Sequence, residues 1–300
     1  MSMTLALSPK SQIYAVGRGA HLVSYEMNIG DCDHDHAVGG YSDNSSHHNF
    51  PAIPLKSGRK RALCIGINYR DRSNRLQGCI EDATKIRDFL MREQNGYKDD
   101  DIRMLTDDTD KKPTKKNILD AMSWLVKGSR PGDSLFLHYS GHGSQVADTN
   151  GDEIDGKDED IECSDSSIII DDEIHKILES LSSGCRLTAL FDSCHSGTVL
   201  DLPYVYNCLG GRYCATKVPV SDILGDVICW SGAKDDQEGT DTPQGGVMTR
   251  AFIESLENKP VQSYQDLLHS IRTTIQRKTY KQIPQLGSSL PMDTSLDFIF

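Results

Sequence analysis

At 300 residues, 37% hydrophobic and 25% charged, the chain has a globular composition and enough length for a full core. No apolar run approaches the ~18 residues of a membrane span. The formal charge of −12 leaves no basic stripe for nucleic-acid phosphates.

Residues 1–57, rich in Gly, Ser, Asp, Asn and His, read as an N-terminal extension. Its tract Asp31–His36 fits a solvated polar loop better than a metal site. The start, Met1–Pro9, has neither the basic segment nor the apolar length of a signal peptide, so an intracellular, cytoplasmic protein is expected. Nine scattered cysteines, several in or beside apolar runs (Cys64, Cys185, Cys229), agree with free buried thiols rather than a disulfide framework. Pro51 and Pro54 mark a linker, and a second domain is expected over 58–300.

From Arg61 the sequence alternates. Arg61–Asn68 is a short apolar, β-branched run and predicts a buried strand. Ile80, Ala83, Ile86, Phe89 and Leu90 have helical spacing, with Gly96 as the expected cap. A strand over Ile102–Thr106 follows, then a helix capped by Thr114 and stopped at Gly128–Pro131. Next come a strand ending near His142, an acidic loop, a helix over 171–181 and a strand ending near Cys194. Further on, 226–231 reads as a strand, 247–258 and 263–277 as helices, and 296–300 as a final strand. The alternation implies an α/β fold: a mostly parallel central sheet with helices on both faces, whose sites form at the C-terminal strand ends.

Two strand ends carry chemistry. One reads Ser134-Leu-Phe-Leu-His-Tyr-Ser-Gly-His142-Gly143, the other Arg186-Leu-Thr-Ala-Leu-Phe-Asp-Ser-Cys194-His-Ser-Gly197. A thiol reacts as thiolate, and a nearby imidazole takes its proton. His195 is poorly placed as that base, because adjacent residues of an extended segment point to opposite sides. His142, between two glycines, is the better candidate. The backbone of the 194–197 turn and Gly143 are candidate oxyanion donors. Other chemistries fall away. Position 200 is Leu where a phosphatase loop needs Arg, position 146 is Val where a dinucleotide loop needs Gly, and no Gly-Lys-Ser/Thr loop occurs.

The acidity is concentrated. Residues 148–172 hold eleven acids against one base, Lys157. Asp148, Asn150, Asp152 and Glu159 fall at EF-hand positions, but Glu153 replaces the required Gly and no helix clearly precedes. Asp171 and Asp172 open a predicted helix, where acids are favoured as caps. Asp82 reads as a helix-surface charge. Asp192 ends an apolar strand, a costly place for a carboxylate without a partner.

These motifs over residues 59–300 resemble the caspase-like cysteine peptidases, and specifically type I metacaspases. The resemblance rests on Arg61–Tyr69, Leu76–Ala83, His138–Gly143, Asp192–Gly197 and Val199–Pro203. It implies a caspase-hemoglobinase fold, a Cys194–His142 dyad, and cleavage of polypeptides after Arg or Lys by a monomer. In the family pattern, the acids of a pocket for the basic side chain match Asp82 and Asp192, with Cys79 and Ser140 lining it. Calcium ligands match Asp171, Asp172 and Asp201, with Asp158 the most natural fourth; Asp155 or Asp160 can substitute, since Ile161–Asp165 departs from the family's usual stretch. Arg212, Lys217, Lys56 and Arg59–Arg61 are candidate self-cleavage points. A silent regulatory protein that keeps the fold and ion site, and a thiol redox sensor using Cys194, are the rival readings. An aspartate-specific peptidase is disfavoured, because the pocket acids would repel its substrate.

Overall fold

A computed structural model describes residues 58–149, 156–194, 199–209, 212–217, 222–232, 245–278, 280 and 282–300, with backbone alone at 207–209 and 212–217. The expected extension at 1–57, the acids Asp152 and Asp155, and the turn residues His195, Ser196 and Gly197 lie outside the described residues.

The elements are β1 (Lys60–Gly66), α1 (Cys79–Leu90), a 3₁₀ turn at Asp99–Asp101, β2 (Ile102–Thr106), α2 (Lys115–Val126) and β3 (Ser134–Ser140). Then come β4 (Gly143–Ala147), β5 (Lys157–Glu162), β6 (Ile168–Ile170), α3 (Asp171–Leu178) and β7 (Arg186–Asp192). The last are β8 (Tyr204–Leu209), β9 (Arg212–Lys217), β10 (Asp226–Ser231), α4 (Val247–Asn258), α5 (Tyr264–Arg277) and β11 (Gln285–Ser288). Local signals set several boundaries. The Thr114 side chain accepts the Asn117 N–H at the start of α2, and Ser263 accepts the Asp266 N–H at the start of α5.

The main sheet has the order β2-β1-β3-β7-β10-β11-β8-β9. The pairings β1–β2, β1–β3, β3–β7 and β7–β10 are parallel. From β10 onward, β11, β8 and β9 pair antiparallel. β4, β5 and β6 form a separate antiparallel sheet.

Strand alternation sorts the core into two layers. Leu63, Ile65, Leu137 and Ala189 pack with Ile118 and Leu125 of α2 and Ile174 of α3. Ala62, Cys64, Phe136 and Leu190 pack with Ile86 of α1, Phe252 of α4 and Ile271 of α5. Helices thus cover both faces, as the alternation predicts. No helix among the described residues is long and apolar enough to cross a membrane.

The structure corrects several boundaries. α1 stops at Leu90, and Gly96 (φ 70°) closes the following turn instead, its N–H donating to the Arg92 carbonyl. α3 stops at Leu178. Residues 143–162 are not all loop: β4 and β5 pair through Ser144–Asp160 and Val146–Asp158. Residues 296–300 form no strand beyond an isolated Ser263–Asp297 bridge; Phe298 and Phe300 are instead part of an aromatic cluster with Phe252. Arg212 and Lys217 end a strand rather than lie in a loop.

Candidate active site

β3 and β7 are adjacent and parallel, with Ser140 opposite Asp192. His142 and Cys194 each follow two residues beyond that pair, on strands about 4.8 Å apart. Gly143 packs against the second strand end: a Cβ there would fall 2.5 Å from the Cys194 carbonyl oxygen and 3.3 Å from Ser193 Cβ. Only glycine permits that approach.

The His142 Nε2 lies 2.6 Å from the Asn74 carbonyl oxygen. A carbonyl only accepts, so Nε2 donates, and in the neutral ring Nδ1 is left as the proton acceptor. Among the described cysteines Cys194 alone is partly exposed; Cys64, Cys79, Cys163, Cys185 and Cys229 are buried. Burial pushes the Cys64, Cys185 and Cys229 thiols up to about 12 and the Cys163 thiol up to about 11. Those four stay neutral near pH 7 and are poor nucleophiles.

Beside the strand ends lies a buried pair of acids. Asp82 projects from the first turn of α1, one turn after the buried Cys79. Its Oδ2 accepts from the Ser140 hydroxyl (2.8 Å) and the Gly246 N–H (2.7 Å), while Oδ1 is buried with no hydrogen-bond partner. Asp192 Oδ2 accepts the Thr249 N–H at 2.7 Å. Burial first, and then the charge of Asp192, push the Asp82 carboxyl up to about 8. Cys79, Asp82, Ser140 and Asp192 are therefore all buried here, with Ser140 joining the end of β3 to α1. Asp82 is 0% exposed, which overturns its reading as a helix-surface charge.

Three contributors carry no sequence signature. A Cβ on Gly245 would lie 2.2 Å from Asp82 Oδ1, and one on Gly246 2.2 Å from Asp192 Oδ2. Their lack of side chains lets the N-terminus of α4 reach both acids. Thr249 adds its N–H to Asp192, while its hydroxyl meets Nε2 of the buried His138 at 3.1 Å. Burial takes the His138 imidazole down to about 3, so it is a neutral partner. A Gly-Gly pair before a helical pattern was the only cue available.

The acidic segment is largely buried. Asp158, Glu159 and Asp160 on β5, and Asp171 opening α3, are at most 3% exposed. Asp171 Oδ2 accepts the Glu159 N–H at 2.7 Å and Oδ1 the Asp172 N–H at 2.9 Å, so Asp171 does bind backbone at its helix start. Burial pushes its carboxyl up to about 8, and the charges of Glu159 and Asp158 add to the rise. Asp158 and Asp171 are thus within electrostatic reach. Asp201 (φ 48°) follows Leu200, whose carbonyl meets Nδ1 of His175 on α3 at 3.4 Å. The donors are the hard oxygens calcium prefers. Among the described residues, however, no three His, Cys, Asp or Glu are grouped to hold a metal.

Comparison with known proteins now decides the family. The family profile described as metacaspase, peptidase C14 domain matches residues 60–203, which span both strand ends and the acidic segment. Metacaspase-1 of Cryptococcus neoformans is 44% identical over 299 residues, covering 81% of this chain and 65% of its own length. Metacaspase-1B of Aspergillus fumigatus is 41% identical, covering 85% of this chain and 75% of its own. The chain belongs to the metacaspase family. This metacaspase spans about two thirds of the length of its Cryptococcus relative. A crystal structure of a Geobacter sulfurreducens protein superposes with a TM-score of 0.59 at 26% identity, covering 78% of this chain and 95% of that one. Caspase-1 of Spodoptera frugiperda superposes at 0.56 and 12% identity over 81% of this chain and 92% of its own, a likeness of fold alone. The caspase-like fold expected from the sequence is the fold observed.

Proposed function

We propose that this metacaspase is a calcium-dependent cysteine endopeptidase that cuts after Arg or Lys. The observation that carries the specificity is the buried Asp82–Asp192 pair. Burial and the Asp192 charge keep the proton on Asp82 at neutral pH, and a guanidinium or ammonium between the two acids would favour its release, pair with both and meet the unpartnered Asp82 oxygen. An acidic side chain would meet like charge.

In this reading His142 Nδ1 takes the Cys194 thiol proton, and the thiolate attacks the scissile carbonyl. The oxyanion draws on backbone N–H groups at the Cys194 turn and Gly143. The imidazolium gives its proton to the leaving amine, leaving a thioester. Water, deprotonated by the same imidazole, then releases the acid and restores the thiol. The Asn74 carbonyl keeps the ring oriented throughout.

Calcium would be held by Asp158 and Asp171, and Asp172 and Asp201, which among the described residues are not grouped with them for a metal, would have to close around the ion to complete the set. It would supply the positive charge that offsets the buried acids of β5 and α3. Self-processing fits Arg212 or Lys217 on the outermost strand β9 better than Arg59–Arg61. Lys60 and Arg61 belong to β1, paired on both sides, and the Arg59 and Arg61 guanidiniums bind carbonyls at the end of α2. Lys56 lies outside the described residues.

A fluorogenic peptide with Arg before the scissile bond tests the proposal. Cleavage is expected from the wild type in calcium, with none from Cys194→Ala at an unchanged Tm. Undiminished turnover by that variant would refute the mechanism. Absence of turnover by a calcium-loaded wild type would favour the regulatory-protein reading.

A further inference from the structure

Tyr69 has a conformation that costs energy. Its φ is 50°, a region that bulky side chains avoid and occupy only where the surroundings over-determine it. The residue is 3% exposed, on the segment between β1 and α1. Its hydroxyl is what the surroundings hold. Oη accepts the backbone N–H of His142 at 3.0 Å and donates to the Glu162 carbonyl at 2.8 Å. The Tyr139 hydroxyl, 3.0 Å away, donates to the His142 carbonyl at 2.6 Å. That carbonyl also receives the Glu162 N–H at 3.0 Å. Both peptide groups of His142 are therefore fixed by the phenol pair and the end of β5.

The ring of Tyr69 adds a contact to the imidazole itself, with centroids 4.6 Å apart and planes tilted by 35°. Arg72 lies over the Tyr69 ring at 4.7 Å, while its guanidinium binds Glu162 Oε2 (2.9 Å) and the Cys163 carbonyl (2.6 Å). Space is reserved for the two hydroxyls: a Cβ on Gly141 would lie 2.6 Å from Tyr139 Oη and 2.8 Å from Tyr69 Oη. Burial raises both phenol pKa values far above the ordinary tyrosine range, so both remain protonated donors.

We infer that Tyr69 is a positioning residue that sets the placement of His142, and that it ties this placement to the end of the acidic strand β5 through Glu162 and Arg72. The inference rests on the cysteine-peptidase reading above. Tyr69 touches no reacting atom. Its effect is to remove freedom from the base, so it belongs to kcat rather than to substrate binding, and an error of about 1 Å in such placement can cost about 100-fold.

Two variants test it. Tyr69→Phe keeps the ring but loses the acceptor for the His142 N–H and the donor to Glu162. Arg72→Met keeps Tyr69 intact and breaks the link to Glu162 at a partly exposed position. Each is measured for kcat and KM on an Arg peptide, for Cys194 alkylation by iodoacetamide, and for Tm. The expected result is a fall in kcat of about 10- to 100-fold for Tyr69→Phe and about 3-fold for Arg72→Met, with KM within about twofold in both. Alkylation of Cys194 should slow in parallel. If Tyr69→Phe fails to fold, Arg72→Met decides the matter by the same split. An active wild type with kcat within twofold in every folded variant would overturn the inference alone. A wild type that neither cleaves nor alkylates at Cys194 would overturn the peptidase reading, and this inference with it.

Discussion

Replacing Asp82 by Asn should strengthen the fold and silence the proposed peptidase activity at once. Asp82 is fully buried opposite Asp192, and its carboxyl is raised to about 8, first by burial and then by its neighbour's charge. The unfolded value is near 3.9, so between about pH 4 and pH 8 the native state holds a proton that the unfolded chain has released. The unfolded chain then binds fewer protons, and stability falls as pH rises through that window. At pH 7 the gap is about 3 units, which at 1.36 kcal/mol per unit sets a ceiling of about 4 kcal/mol. Asn is neutral at every pH and keeps an oxygen for the Gly246 N–H and the Ser140 hydroxyl. Allowing for relaxation and water entry, the expected gain is about 1–3 kcal/mol at pH 7, or roughly 2–12 °C in Tm, fading to nothing near pH 4. On the proposed function, cleavage after Arg should meanwhile fall by about 100-fold or more in kcat/KM, because a charge-assisted pair with the substrate would be lost. Melting both proteins at pH 4 and pH 7, with the Arg-peptide assay alongside, gives the answer. A Tm difference that is the same at both pH values, or a variant less stable at pH 7, would refute the account of the acid pair.

Gly246→Ala places a Cβ against Asp192 Oδ2 and should cost about 1–3 kcal/mol while weakening Arg-peptide binding, read as a lower Tm and a higher KM. Thr114→Ala removes the cap of α2 and should cost about 1 kcal/mol, or roughly 2–4 °C in Tm, with kcat/KM unchanged. Asp172→Ala should abolish the response of peptidase activity to added calcium; a variant with the wild-type calcium titration would remove Asp172 from the ion site.

The parallel half of the fold was legible because its signals are local. Runs such as Leu63–Ile67 and Leu135–Tyr139 are buried on both faces, and Thr114 caps its own helix. The antiparallel half was not. β11 reads Gln-Leu-Gly-Ser and has no strand pattern of its own; its place comes from β10 and β8 on either side. The apolar residues at 296–300 mimic a strand but supply the aromatic cluster of the α4 and α5 layer. β5, Lys-Asp-Glu-Asp-Ile-Glu, looks like solvated loop by composition, yet three of its acids are buried. At the site, the register of β3 with β7 follows from matching apolar runs. Asp82 and Asp192 were found by motif, whereas Gly245, Gly246 and Thr249 contribute backbone, which leaves little trace in side-chain chemistry.

The position of β11 also orders the assembly of the sheet. β8 precedes β10 in the chain but does not touch it; β11 stands between them and arrives only after α4 and α5. β8 and β9 pair with each other, yet their place in the sheet exists only once that late strand is made. During synthesis β10 therefore presents an open edge for the whole interval, a template for wrong pairing that the last short strand must close.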